Sequence, residues 1–335
     1  MNTIDIQHPP ARPAARLVRA AGAALLCMAA ALPAQAQDAY PNKPIRLLLG
    51  FAAGGGSDMV ARLVAKSLGD RLGQSVVVDN RPGAGGNIAS EAAAKAAPDG
   101  YTLVLMTSGH ATNAAMKKVL PFHPVNDFAW IGTITTYPLS LAVRPESQFR
   151  TFRDFIQATR TEPDKYTYTS VGVGTAMHLV GEWLMAESGG VARHVPFRGG
   201  TAPTVELLAG RVDVMIDTMT NTTPLLKDGR VRVLAVTAPR GASNLPGVPS
   251  VADSYPNVVY ESWLGIAAPA ATPPAMVARL NRELKAVVEL PEVHEKLAGW
   301  GGSPQVGTPA EFRARVEADI QAMRRVVAER KIETE

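Results

Sequence analysis

The chain is poor in cysteine: among 335 residues it has one, Cys27, inside an apolar stretch near the N-terminus. A disulfide scaffold or a Cys-based metal site is thereby excluded. Aromatic residues make up 6% and charged residues 19% of the chain, with no block of like charges, so no nucleic-acid partner is expected. Past residue 36 no apolar run reaches the roughly 20 residues needed to span a membrane. Catalytic signatures are missing as well. There is no HExxH or carboxylate cluster, and His110, His123, His194 and His294 lack metal-ligand spacing, so neither a metal nor any other cofactor is expected.

What is present begins with Arg12, Arg16 and Arg19, an apolar run from Ala20 to Leu32, and Ala34-Gln-Ala36. Charge, apolar run and small residues in that order read as a secretory signal cleaved after about Ala36, so that 299 of the 335 residues remain. Leu26 is too large for the position ahead of a lipidated cysteine, which argues against a lipid anchor. Cleavage removes three Arg and one Asp, and the formal charge falls from +4 to +2. The expected product is a near-neutral exported protein long enough for two cores.

The stretch Ile45 to Asp58 organises the rest. Ile45 to Phe51 is apolar enough for a strand buried on both faces, and Met59, Val60, Leu63, Val64, Leu68 and Leu72 follow helical spacing. Between them Gly54, Gly55 and Gly56 let bare N–H groups approach a ligand. A helix starting near Ser57 or Asp58 adds about half a positive charge at its first turn. The loop is therefore an anion site or an ordinary glycine-rich turn. It is not a nucleotide loop, because Gly56 stands where a Walker loop has lysine and Met59 where the dinucleotide fingerprint has its third glycine. A serine-hydrolase elbow would also need glycine at Met59, so Ser57 reads as an N-cap rather than a nucleophile and Asp58 as a second capping group.

Strand, turn and helix then alternate. Val76 to Asn80 precedes a second glycine cluster and a helix from Ile88 to Ala97. Tyr101 to Met106 ends at Thr107-Ser108-Gly109-His110 and a helix from Ala111 to Lys118. Trp130 to Val143 reads as extended chain interrupted by Pro138, with Leu139 to Val143 crossing into a second domain. There the pattern restarts with a helix from Thr151, a strand from Tyr166 to Val171 and the turn Gly172-Val-Gly174-Thr175. A helix from Ala176 to Glu187 and a strand from His194 to Phe197 lead to the turn Arg198-Gly-Gly-Thr201. A helix from Pro203 to Ala209 and a strand from Val212 to Ile216, ending at Asp217, come next. Leu225 to Lys227 run into a turn at Asp228-Gly229 and a strand from Val231 to Thr237. Tyr260 to Ala267 is a second crossing, followed by helices over Ala275 to Val288 and Pro291 to Leu297. A final helix from Pro309 carries Phe312, Val316, Ile320, Met323 and Val327 on one face, which should cover the first domain. The expected architecture is α/β, with two mixed sheets joined by crossing strands at a hinge. Lobe 1 would comprise 37–138 with 268–335, and lobe 2 139–267.

At this point several segments resemble the Bug receptors, the substrate-binding proteins of tripartite tricarboxylate transporters. They are Phe51-Ala-Ala-Gly-Gly-Gly-Ser-Asp58 with Arg62, then Val78-x-Asn80-Arg-Pro-Gly-Ala-Gly-Gly-Asn87, then Pro98-Asp-Gly-Tyr-Thr-Leu103. The second half adds Gly172-Val-Gly-Thr-Ala-Met-His178, His194-Val-Pro-Phe-Arg-Gly199, Leu208-Ala-Gly-Arg-Val-Asp213 and Leu234-Ala-Val-Thr237. The match runs in order over nearly all of the chain past the signal. It departs at Phe197-Arg198, where tyrosine-lysine is common, and at Ala209-Gly210-Arg211, where Gly-Gly-Gln is common.

The resemblance implies a non-enzymatic, monomeric periplasmic binding protein of the two-lobed, type II-like fold. Such a protein closes on a small carboxylate and hands it to membrane components of the transporter. Carried onto this sequence, the first-lobe loop is Phe51, Ala52 and Gly54 to Asp58, with Thr107 and Ser108. The second-lobe loops are Ser170, Gly172, Gly174 and Thr175, and Arg198, Gly199, Gly200 and Thr201. Asp217, at a strand end on the same rim, would read the ligand's far end or serve as a cap. His178 would touch ligand or pack, and Arg198 would reach a second carboxylate or face solvent; Trp183 and Met185 read as core. A ligand-presenting module for a signalling kinase would have the same site, and an exported hydrolase is the alternative from another class. The residues leave the acid open: amino acid, dicarboxylate, tricarboxylate or aromatic acid.

Overall fold

In a computed structural model that describes residues 40–241, 243 and 245–334, the first glycine loop joins β1 (Ile45–Leu49) to α1 (Gly56–Leu72). The secretory signal lies outside the described residues. β2 (Val76–Asn80), α2 (Asn87–Ala94), β3 (Thr102–Thr107) and α3 (Gly109–Met116) complete a parallel β2-β1-β3 unit. Its inner strands are almost wholly apolar and buried, as a sheet covered on both faces requires. Next comes β4 (Phe128–Val143), 16 residues long. Then follow α4 (Phe152–Thr161), β5 (Thr167–Ser170), α5 (Ala176–Ser188), β6 (Arg193–Pro196), α6 (Ala202–Leu208), β7 (Val214–Thr218), α7 (Met219–Lys227) and β8 (Arg232–Val236). β9 (Glu261–Pro269), α8 (Pro274–Val288), α9 (Pro291–Gly299), β10 (Ser303–Pro304) and α10 (Pro309–Glu329) close the chain.

The strands run in the order β2-β1-β3-β9-β4-β7-β5-β6, with β8 and β10 also paired to β4. β4 joins the two halves. Its first part, Phe128 to Pro138, pairs with β9, and its second, from Leu139, pairs with β7 and β8. The sequence predicts a break at Pro138, yet the strand continues through it. The partner changes there, and a residue without an N–H is tolerated where one ladder ends and another begins. β9 pairs with β3 and the first part of β4, so Glu261 to Ala267, which the sequence reading gave to lobe 2, lie in the first half of the sheet.

α7 is absent from the sequence reading, which saw only its end. Three threonines and an internal Pro224 hide it, because each lowers helix propensity. Tertiary contacts override that: Thr218 caps it by accepting the Asn221 N–H, and the Ser140 hydroxyl on β4 donates to Thr222 at 2.8 Å.

Two cores flank the switch in β4. One gathers Leu48, Met106, Trp130, Trp263 and Phe312, the other Leu141, Phe155, Tyr168, Leu184 and Ile216. Trp183 and Met185 belong to the second core, as expected. α10 covers both rather than the first alone: Phe312, Val316 and Ile320 enter one core, while Met323 and Val327 enter the other. Its start is fixed by a capping box in which Thr308 accepts the Glu311 N–H and Glu311 accepts the Thr308 N–H. Replacing Thr308 with alanine should cost about 1 kcal/mol, read as a lowered urea midpoint with unchanged slope.

Candidate functional site

β1, β3, β5 and β7 each end at one cavity. Three helices begin there without a side-chain cap. α1 starts from Gly55, which has no side chain. α3 starts from Ser108, whose hydroxyl instead meets Ser262 Oγ at 2.7 Å. α5 starts from Thr175, whose hydroxyl instead donates to the Gly172 carbonyl at 2.6 Å. The first N–H groups of a helix have no acceptor within it and carry the positive end of its dipole. Their convergence makes the cavity electropositive without a basic side chain, since no lysine, arginine or histidine is among its described lining residues.

The glycines serve closure as much as ligand approach. Gly54 adopts φ +85, a turn conformation that favours glycine. A Cβ on Gly55 would come within 3.2 Å of the Gly200 backbone, and one on Gly56 within 2.8 Å of Thr218 Oγ1. Ala52 pairs with Gly199 in a short parallel bridge, with the Ala52 N–H donating to the Arg198 carbonyl at 3.3 Å. On the far side the Thr112 hydroxyl donates to the Gly174 carbonyl at 2.7 Å. These bonds join segments of the two halves of the sheet, so the arrangement is a closed one.

Of the residues singled out from sequence, Phe51, Gly55, Gly56, Ser57, Thr107, Ser108, Thr175, Gly199, Gly200 and Asp217 line the cavity. Ala52, Gly54, Asp58, Ser170, Gly172, Gly174, His178, Arg198 and Thr201 do not. Ser57 is the second residue of α1 and not its N-cap; the helix starts at Gly56, with Gly55 as the N-cap. Asp58 is a buried hub. Its carboxylate accepts the Gly54 N–H at 3.0 Å, the Arg62 guanidinium at 2.9 and 3.0 Å, and the Asn80 amide at 3.0 Å. Burial alone would push this carboxyl up, but those hydrogen bonds together with the Arg62 charge hold it below its ordinary value.

His178 packs beneath the loop it follows. Its Nδ1 accepts the Gly174 N–H at 3.2 Å, and its ring stacks on His194 at 4.2 Å. Burial, and then the neighbouring His178, push His194 down to about 3; its Nε2 lies 2.7 Å from the Ser170 hydroxyl. Arg198, exposed, borders an outer groove with Gly172 and Lys117. Asp217 is buried at the cavity wall, with Oδ1 accepting the Thr218 N–H at 2.6 Å and Oδ2 the Asn221 amide at 2.8 Å. Burial outweighs these bonds and pushes its carboxyl up to about 6.

Sequence reasoning missed Tyr137, Ser262, Thr218, Val171 and Met177, all of which line the cavity. Tyr137 sits on the extended segment that leads into the first crossing and Ser262 on the second crossing, and such strands pass through the middle of a two-lobed site; that was the available signal. The Tyr137 hydroxyl bonds Ser262, Ser262 meets Ser108, and Ser108 bonds the Tyr260 hydroxyl. Burial raises both tyrosines, so they stay neutral.

The profile of a family described as the tripartite tricarboxylate transporter family receptor matches residues 60–332. The chain belongs to that family. A protein encoded in the TAR-I ttuE–ttuC' intergenic region of Agrobacterium vitis is 36% identical over 312 residues, covering 91% of this chain and 90% of its own. The solved periplasmic binding protein BugD superposes with a TM-score of 0.84 at 31% identity, over 88% of this chain and 100% of its own. The R. palustris protein Rpa4515, solved with adipate, gives 0.84 at 32% identity with the same coverage. The tripartite receptor has the two-lobed fold of these periplasmic binding proteins, and proteins of this family bind solutes and are not enzymes.

Proposed function

We propose that this receptor, exported to the periplasm, closes on a small carboxylate and delivers it to the membrane components of a tripartite tricarboxylate transporter. One observation carries the reading: three helix N-termini, none capped by the side chain of its own N-cap residue, meet at a single cavity. Adipate in Rpa4515, at 32% identity, supports a carboxylate as ligand. The lobes in this reading are 43–138 with 261–335, and 139–260, hinged where β4 changes partner and before β9.

The energetics are consistent. A micromolar ligand requires about −8 kcal/mol, while a helix N-terminus contributes up to about 2 and a charge-assisted hydrogen bond roughly 1.5–3. No one loop suffices, so affinity and closure are a single event. At 100 times its dissociation constant a ligand of the folded state adds about 2.7 kcal/mol, which for a chain of this size raises Tm by several degrees. A carboxylate should produce that shift and its uncharged amide should not. Equal shifts for acid and amide, or none for any acid on stripped protein, would exclude the reading.

A further inference from the structure

This inference rests on the carboxylate-receptor reading and narrows the ligand class. Among the described lining residues Asp217 is the one carboxylate, and no basic side chain faces it. An ionised carboxylate offers about four acceptor sites and no donor. Asp217 uses some of them on the Thr218 N–H and hydroxyl and on the Asn221 amide, and the residue borders the cavity. The groups packed against it are neutral: Ser140 from β4 donates to its main-chain oxygen, and Asn221 from α7 is tied to Thr204 of α6. Tyr137 from β4 is the other titratable residue within electrostatic reach, and it stays protonated. The same cavity is lined by the helix N-termini, and Phe51, Val171 and Met177 supply apolar surface.

We propose that the cavity selects an amino acid, with its carboxylate on the helix N-termini and its ammonium on Asp217, and rejects di- and tricarboxylates. An ammonium provides the missing donor as a charge-assisted hydrogen bond. A second carboxylate at the same place brings two like charges together out of water, so one of them must take up a proton.

The two ligand classes respond to pH in opposite directions. Asp217 titrates near 6 in the empty protein, so acidification removes the charge that holds an ammonium and relieves the repulsion of a carboxylate. Amino-acid affinity falls about tenfold from pH 7.5 to pH 5, and dicarboxylate affinity rises.

The test is titration calorimetry on stripped protein with the L-amino acids and 4-aminobutyrate against succinate, glutarate, adipate and citrate, at pH 7.5 and 5. At least one amino acid should bind tenfold or more tightly than every polycarboxylate at pH 7.5. Asp217→Asn should cost that amino acid tenfold or more while leaving or improving polycarboxylate binding, an inversion that loss of a helix cap cannot produce. A polycarboxylate binding tightest at pH 7.5, or a variant that weakens all acids alike, overturns the inference and leaves the carboxylate receptor standing. Failure of every acid to bind overturns both. The pH dependence of the unmodified protein decides the matter even where the variant does not fold.

Discussion

Replacing Gly56 with valine should leave the chain folded and weaken ligand binding about 1,000-fold. Gly56 is the first residue of α1 and has no left-handed φ, so a side chain causes no local backbone strain. What it meets lies across the cleft: a Cβ there would be 2.8 Å from Thr218 Oγ1 and 3.2 Å from the Asn221 main-chain nitrogen. Those atoms belong to the start of α7, in the other half of the sheet, and they are not the free end of a flexible side chain. The halves must then stay apart. An open receptor retains the α1 and α3 N-termini for the ligand but loses α5 and the Gly199–Gly200 turn. Forfeiting two contacts worth up to about 2 kcal/mol each gives about 4 kcal/mol, or roughly three decades of affinity. Calorimetry measures the loss, and small-angle scattering should show a larger radius of gyration that added ligand does not reduce. Binding within tenfold of the unmodified protein would show that closure at Gly56 is not required.

Asp58→Ala should destabilise the fold by about 3 kcal/mol. Arg62 is more than half exposed, so the ion pair itself contributes little. The larger effect is what the carboxylate leaves behind. The Gly54 N–H loses its acceptor, and the Asn80 NH2 group keeps only the Phe51 carbonyl while its Oδ1 still accepts from Arg62. Hydrogen bonds to a charged group contribute about 1.5–3 kcal/mol each, and with Gly54 exposed and Asn80 half-buried the lower end applies. Because these bonds hold the Asp58 carboxyl below its ordinary value, the contribution is complete above pH 3.8 and is lost as pH falls through the lowered folded value. Urea midpoints of variant and unmodified protein should therefore differ at pH 7 and converge in acid. Ligand affinity should fall as well, since Asp58 anchors the loop that carries Phe51 and Gly55. A midpoint unchanged at pH 7 would contradict the hub assignment.

The alternation of strand and helix was readable from residue 45 onward because burial on two faces and helical periodicity are local patterns. Family membership was readable because short motifs recur in order along the chain. Local signals failed where long-range contacts overruled them. α7 forms despite Pro224 because Thr218 caps it and β4 packs on it; β4 runs through Pro138 because its partner changes there. Ser57 was misassigned as a cap because α1 begins one residue ahead of it, at Gly56, with Gly55 at the N-cap.

By itself the sequence determined most of the strands and helices, and which helix N-termini would follow glycine-containing turns, since each of these depends on residues within a turn or two of one another. Only the tertiary structure decided which of those termini meet, that Asp58 is consumed by Arg62 and Asn80, and that Tyr137 and Ser262 join the cavity. It also left no basic side chain beside Asp217 among the described lining residues, because a site's charge balance is a sum over residues that folding, and not chain order, makes neighbours.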